Sequence, residues 1–176
     1  MHQLRARGHT VLAIDVLGVG EHGAAPAPGD RFFTTYNRTL LAEQVQDVLT
    51  ALAFLRAQPG IRQVNLMGEG ALGPVSLLAR ALDPAVARAA VDADGFEYAA
   101  DRDEPVDRAL PGILRFGGLR AAAALAAPGP LLLHHTTGAL DPTWAQRAYE
   151  LEGHPGAFRT SAQRLSDDEV VRWLVD

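Results

Sequence analysis

The sequence predicts an α/β fold, a three-layer sandwich in which a mainly parallel sheet lies between two layers of helices. Three observations carry this. Short, branched, almost wholly apolar runs of strand length recur along the chain, the first two end in glycine-rich turns, and the intervening segments return their apolar residues at helical spacing. Strands that alternate with helices pair in parallel, and ligands of such sheets bind beyond the carboxyl ends of the strands.

The elements follow in order. His9 to Val16 reads as a strand buried on both faces, running into Leu17-Gly18-Val19-Gly20. Residues 23 to 31 collect Gly, Ala and Pro and read as loop, after which Leu41, Val45, Val48, Leu52 and Leu55 predict a long amphipathic helix stopped by Pro59-Gly60. Ile61 to Met67 repeats the strand signature, Gly68 to Gly73 the glycine-rich turn, and Val75 to Leu82 a helix that tolerates Pro74 in its first turn. Further strands are expected at Ala87 to Val91 and Pro130 to Thr136, separated by an irregular, charged stretch from 97 to 118. Asp141-Pro142 opens a helix through about Leu151. Ala157 to Thr160 is a candidate edge strand, and Ser166 to Glu169 is a capping box before Val170, Val171, Trp173 and Leu174. Trp144 and Trp173 read as packing residues. No repeat or linker divides the chain, so residues 1–176 form a single domain.

Composition narrows the chemistry. With 176 residues, 48% of them hydrophobic, the chain can bury a sizeable core. It has no cysteine, and all 16 basic residues are arginine, which removes thiol nucleophiles, lysine Schiff bases and P-loop phosphate binding. A net charge of -5 without a basic cluster argues against nucleic acid as a partner. Neither a secretory leader nor a run of about 20 apolar residues appears, so a cytoplasmic location without membrane association is expected.

Ala13-Ile14-Asp15-Val16-Leu17-Gly18-Val19-Gly20-Glu21 and Val64-Asn65-Leu66-Met67-Gly68-Glu69-Gly70-Ala71-Leu72-Gly73, in that order, resemble the alpha/beta-hydrolase superfamily, and most of all its acetylxylan-esterase and dienelactone-hydrolase relatives. The first looks like the family's fourth strand with its D-x-x-G-x-G loop, the second like the fifth strand with its nucleophile elbow. The resemblance implies ester hydrolysis, and it covers most of the chain.

The departures matter as much. The third position of the elbow, where the family's serine stands, is Gly70. No histidine follows the last strand around Ser161 to Leu165, His154 precedes it, and Asp141 has the context of a helix cap. The three serines, Ser76, Ser161 and Ser166, each have a structural explanation, so a Ser-His-Asp triad is rejected. The family also places an upstream strand between the two matched here, so a truncated alpha/beta-hydrolase-like domain is expected. An empty slot in a buried sheet costs about 1 to 3 kcal/mol for each dry, unpaired backbone group. The first strand is therefore expected either to slide in beside the elbow strand or to leave an edge that a second chain covers, which favours a homodimer.

Histidine and carboxylate carry what chemistry remains. Asp15, Glu21 and His22, then Glu69, Asp92 and Asp94, then His134 and His135 all fall at the ends of expected strands. A divalent metal such as zinc, held by His134, His22 and Asp15, would replace the missing serine with a metal-bound hydroxide, with Glu69 as general base. Against this, His134 and His135 face opposite sides of a continuous strand, and Asp15, Asp92 and Asp94 can each serve their own loops. Phe32-Phe33 could flank a substrate pocket or pack on the sheet. The expected function is hydrolysis of small activated carboxyl or phosphate esters, the alternatives being a catalytically silent remnant or a small-molecule binding and dimerising module.

Overall fold

The apolar runs become one four-stranded sheet in a computed structural model of the chain, which describes residues 2–23, 37–99, 106–138 and 140–175, without the side chains of His22 and Val106. Strands β1 (Leu66–Gly68), β2 (Ala89–Asp92), β3 (Leu131–His134) and β4 (Phe158–Thr160) lie side by side in sequence order. Every pairing is parallel, with Met67 opposite Ala90, Asp92 opposite His134 and Leu132 opposite Arg159.

Among the described residues the α-helices are α1 (His2–Ala6), α2 (Leu40–Arg56), α3 (Gly73–Leu82), α4 (Gly118–Leu125), α5 (Thr143–Leu151) and α6 (Asp167–Val175). Because the strands step across the sheet in one direction, crossovers of one hand place α3, α4 and α5 on the same face. There they share a core with α2, into which Ala89, Val91, Leu131 and Leu133 point. The alternate residues Ala90 and Leu132 point the other way, onto Val170 and Leu174 of α6. The result is the three-layer α/β sandwich expected from the sequence. Among the described residues no helix is long and apolar enough to cross a membrane.

The caps behave as their residue types dictate. Thr39 Oγ1 accepts the Ala42 N–H at 3.3 Å at the start of α2. Ser166 and Glu169 form a reciprocal box, the Ser166 N–H donating to Glu169 Oε2 at 2.9 Å and the Glu169 N–H to Ser166 Oγ at 3.4 Å. Asp141 Oδ1 accepts the Thr143 N–H at 3.0 Å, the capping role its Asp-Pro context predicts.

The first expected strand is a correction. His9–Asp15 runs without turn or bend but joins no ladder, and Leu12 and Ile14 are 42% and 36% exposed. Of this apolar run, only Val16 at its end is buried. Nor does the run slide in beside β1: a groove of about 700 Å³ is lined by the run on one side and by Gln63 to Glu69 on the other. Apolar composition makes a segment strand-competent, but a strand exists only where a neighbour completes its hydrogen bonds. The expected loop beyond Gly23 and the Phe32-Phe33 pair lie outside the described residues.

Candidate active site

The carboxyl ends of β2 and β3 build one polar cluster. Asp92 is the last residue of β2, and His134 stands opposite it as the last residue of β3. The strand ends there because His135 takes φ +58°, which breaks the alternation and frees its ring from the face that continuation would impose. His135 Nδ1 lies 2.8 Å from Asp92 Oδ1. The same oxygen accepts the Asp94 N–H at 2.8 Å, and Arg164 Nε stands 3.4 Å from Oδ2.

Asp92 is 1% exposed and the His135 side chain 29%. Burial pushes the Asp92 carboxyl up, but the N–H of Asp94, the ring of His135 and the N–H of Gly70 together outweigh it and hold the group below the ordinary aspartate value. A carboxylate on Nδ1 selects the tautomer that carries its proton there, leaving the Nε2 lone pair to take a proton from elsewhere. Among the described residues Nε2 has no hydrogen-bond partner.

The backbone around the pair is tightly tied. Asp94 and Thr137 also have positive φ, +54° and +42°. Such conformations persist only where the surroundings over-determine them. Here the His135 N–H donates to Gln163 O at 3.1 Å, the Thr137 N–H to Ala162 O at 3.1 Å, and the Gly95 N–H to His135 O at 2.9 Å. Asp94 in turn pairs with Arg108 at 2.6 Å, and Arg108 lies over the ring of Phe96.

The glycine-rich turn supports the cluster from β1. Gly70 has φ +52°, and a Cβ there would meet no atom within 4 Å. Gly73 opens α3 against the backbone of Asp92, where a Cβ would fall 1.6 Å from the Asp92 carbonyl oxygen. Only glycine lets α3 sit this close to β2, and the N–H of Gly70 thereby reaches the Asp92 carboxylate.

The residues proposed from sequence are scattered. His134 is 4% exposed, and its Nδ1 accepts the Leu165 N–H at 3.3 Å; burial lowers its pKa, so it is neutral at pH 7. Asp15 Oδ2 accepts the Glu21 N–H at 3.0 Å, and β1, β2 and the groove stand between it and His134. The His22 side chain lies outside the described part of the structure. Among the described residues no group of three or more His, Asp or Glu side chains is arranged to hold a metal. Glu69 is exposed at the groove edge, and among the described residues its carboxylate has no hydrogen-bond partner. The residues brought together are instead Asp92 and His135. The Asp94-Gly95 turn pair, which ends β2 just after Asp92, is the sequence signal that points to this end of the sheet.

No protein-family model and no curated protein matches the chain. Solved structures that share its fold at low identity include two esterases. An acetyl xylan esterase, so assigned, from Bacteroides fragilis superposes with a TM-score of 0.68 at 13% identity, over 95% of this chain and 50% of that one. A carbohydrate esterase family 15 glucuronoyl esterase from Caldicellulosiruptor kristjansonii gives 0.53 at 17% identity, over 84% of this chain and 54% of that one. The chain has the α/β fold of these esterases and spans about half of their length.

Proposed function

We propose that this chain hydrolyses small activated carboxylic esters by general-base catalysis, with His135 as the base and Asp92 as the residue that orients it. The observation that carries the reading is the 2.8 Å contact between Asp92 Oδ1 and His135 Nδ1 at the carboxyl rim of the sheet. His135 Nε2 takes a proton from water as the water oxygen attacks the ester carbonyl. The imidazolium, stabilised by the Asp92 carboxylate, then returns the proton to the departing leaving-group oxygen, an aryloxide in an aryl ester, as the tetrahedral intermediate collapses. Water replaces the serine that Gly70 does not supply, and an activated leaving group suits the weaker nucleophile. The esterase names of the two fold neighbours support the substrate class.

This route needs no metal. An ion held by His134, His22 and Asp15 is the less supported route, since His134 Nδ1 and Asp15 Oδ2 already accept backbone N–H groups and stand on opposite sides of the groove.

The test is hydrolysis of an aryl acetate by the whole chain, against an equal concentration of free imidazole, before and after chelation. Turnover above imidazole that survives chelator and falls about 100-fold or more in His135→Gln supports the dyad. Turnover that chelator abolishes and zinc restores moves the site to the metal route. A rate no greater than imidazole makes the chain a catalytically silent member of its fold.

A further inference from the structure

We infer that the groove beside β1 is a strand-docking site filled by a second copy of this chain, each copy inserting its Thr10–Asp15 run into the other. The groove has apolar side chains above and below, Val48 and Leu52 of α2 on one face and Val171 and Leu174 of α6 on the other, with His2 and Gln3 of α1 and Asp167 of α6 also in its lining. Its sides are backbone. Val64 O and Leu66 N–H are spent on β2, through Ala87 N–H and Arg88 O, so alternation turns the N–H and C=O of Asn65 and Met67 into the groove. Across it, no backbone N–H or C=O of Thr10–Asp15 has a hydrogen-bond partner among the described residues.

The space has the dimensions of a strand. At sheet spacings of about 4.8 Å between strands, 10 Å between layers and 3.3 Å along the chain, a strand residue fills roughly 160 Å³. A volume of about 700 Å³ therefore takes four to five residues. A strand between two helical layers must be apolar on both faces. Val11-Leu12-Ala13-Ile14 meets every requirement, because it is apolar on successive residues, free of turns and unpaired along its backbone.

Two copies satisfy each other. About a two-fold axis between antiparallel runs, the order becomes β1 of one copy, the partner's run, the first copy's own run, and β1 of the partner. Each run then pairs on both sides and each β1 edge is covered, so the contact closes at two copies and leaves no edge to propagate.

Light scattering on the whole chain across the micromolar range should give twice 18.8 kDa. Leu12→Pro removes a backbone donor from the run, and because that donor has no partner within one copy, it should yield a monomer with unchanged circular dichroism. Because the chain has no cysteine, Leu12→Cys, Ala13→Cys and Ile14→Cys can be read cleanly. At least one should form a disulfide-linked dimer on mild oxidation, while Phe54→Cys on the exposed face of α2 should not. A wild-type monomer at every concentration, a dimer that Leu12→Pro leaves intact, or no cross-link at any of the three positions would overturn the inference. A monomer whose groove is instead filled by a foreign peptide would overturn it as well.

Discussion

Asp92 and His135 meet across neighbouring strands because the register sets Asp92 opposite His134, and the positive φ of the next residue swings the His135 ring onto the carboxylate at 2.8 Å. The alignment belongs to the backbone, not to chance side-chain placement. Asp92→Asn should therefore keep the fold while failing to select the Nδ1–H tautomer or stabilise the imidazolium. Esterase activity should fall at least tenfold, with the change in kcat rather than KM, as steady-state kinetics on an aryl acetate would report.

The depressed Asp92 pKa has a thermodynamic counterpart. A carboxyl whose folded value lies below its unfolded value contributes stability that is present above about pH 4 and lost as pH falls through the folded value. Urea denaturation from pH 6 downwards should show the wild type losing stability below about pH 4 more steeply than Asp92→Asn.

His134 predicts a pH effect at milder acidity. Its burial lowers the folded pKa, so the unfolded chain binds the proton more tightly and stability declines as pH falls below about 6.5. In His134→Asn the amide oxygen can still accept the Leu165 N–H, but the titration is removed. Its melting temperature should change less between pH 7 and 5 than that of the wild type.

Two glycines in the same turn should respond unequally. Gly73→Ala drives a methyl into the Asp92 carbonyl and should cost about 3 kcal/mol or more, with loss of activity as α3 moves away from the site. Gly70→Ala meets open space and bears only the left-handed conformation, about 1 to 2 kcal/mol. Chemical denaturation of the two variants decides the order.

Arg80 is 2% exposed, and its guanidinium donates to Ala126 O at 2.9 Å and Asp83 O at 3.0 Å, tying α3 to the chain beyond α4. Burial lowers its pKa. Arg80→Met keeps the volume but removes both guanidinium hydrogen bonds, leaving the Ala126 carbonyl with the Gly129 N–H alone and the Asp83 carbonyl with the Val86 N–H alone, so a loss of about 1 to 3 kcal/mol is expected in urea denaturation, with the fold retained.

The sequence by itself determined the layers. The spacing of Leu41, Val45, Val48 and Leu52 puts one apolar stripe on a helix, and Thr39, Ser166 and Asp141 cap because their oxygens reach nearby N–H groups. These are local interactions, written in residue type and short spacing. The four strands of the three ladders are legible for the same reason, in composition and flanking turns.

Only the tertiary structure decided the rest. Whether His9–Val16 would be a strand depended on a neighbour that composition cannot guarantee, and the run stands unpaired beside a groove. Which of two adjacent histidines would face a carboxylate depended on one backbone angle at the end of β3, and the sequence reading chose His134 where the fold buries it and presents His135. Both outcomes rest on contacts between residues far apart in the chain. A side chain's chemistry is fixed by its identity, but its partner is set by the register of strands that meet only when the whole sheet forms.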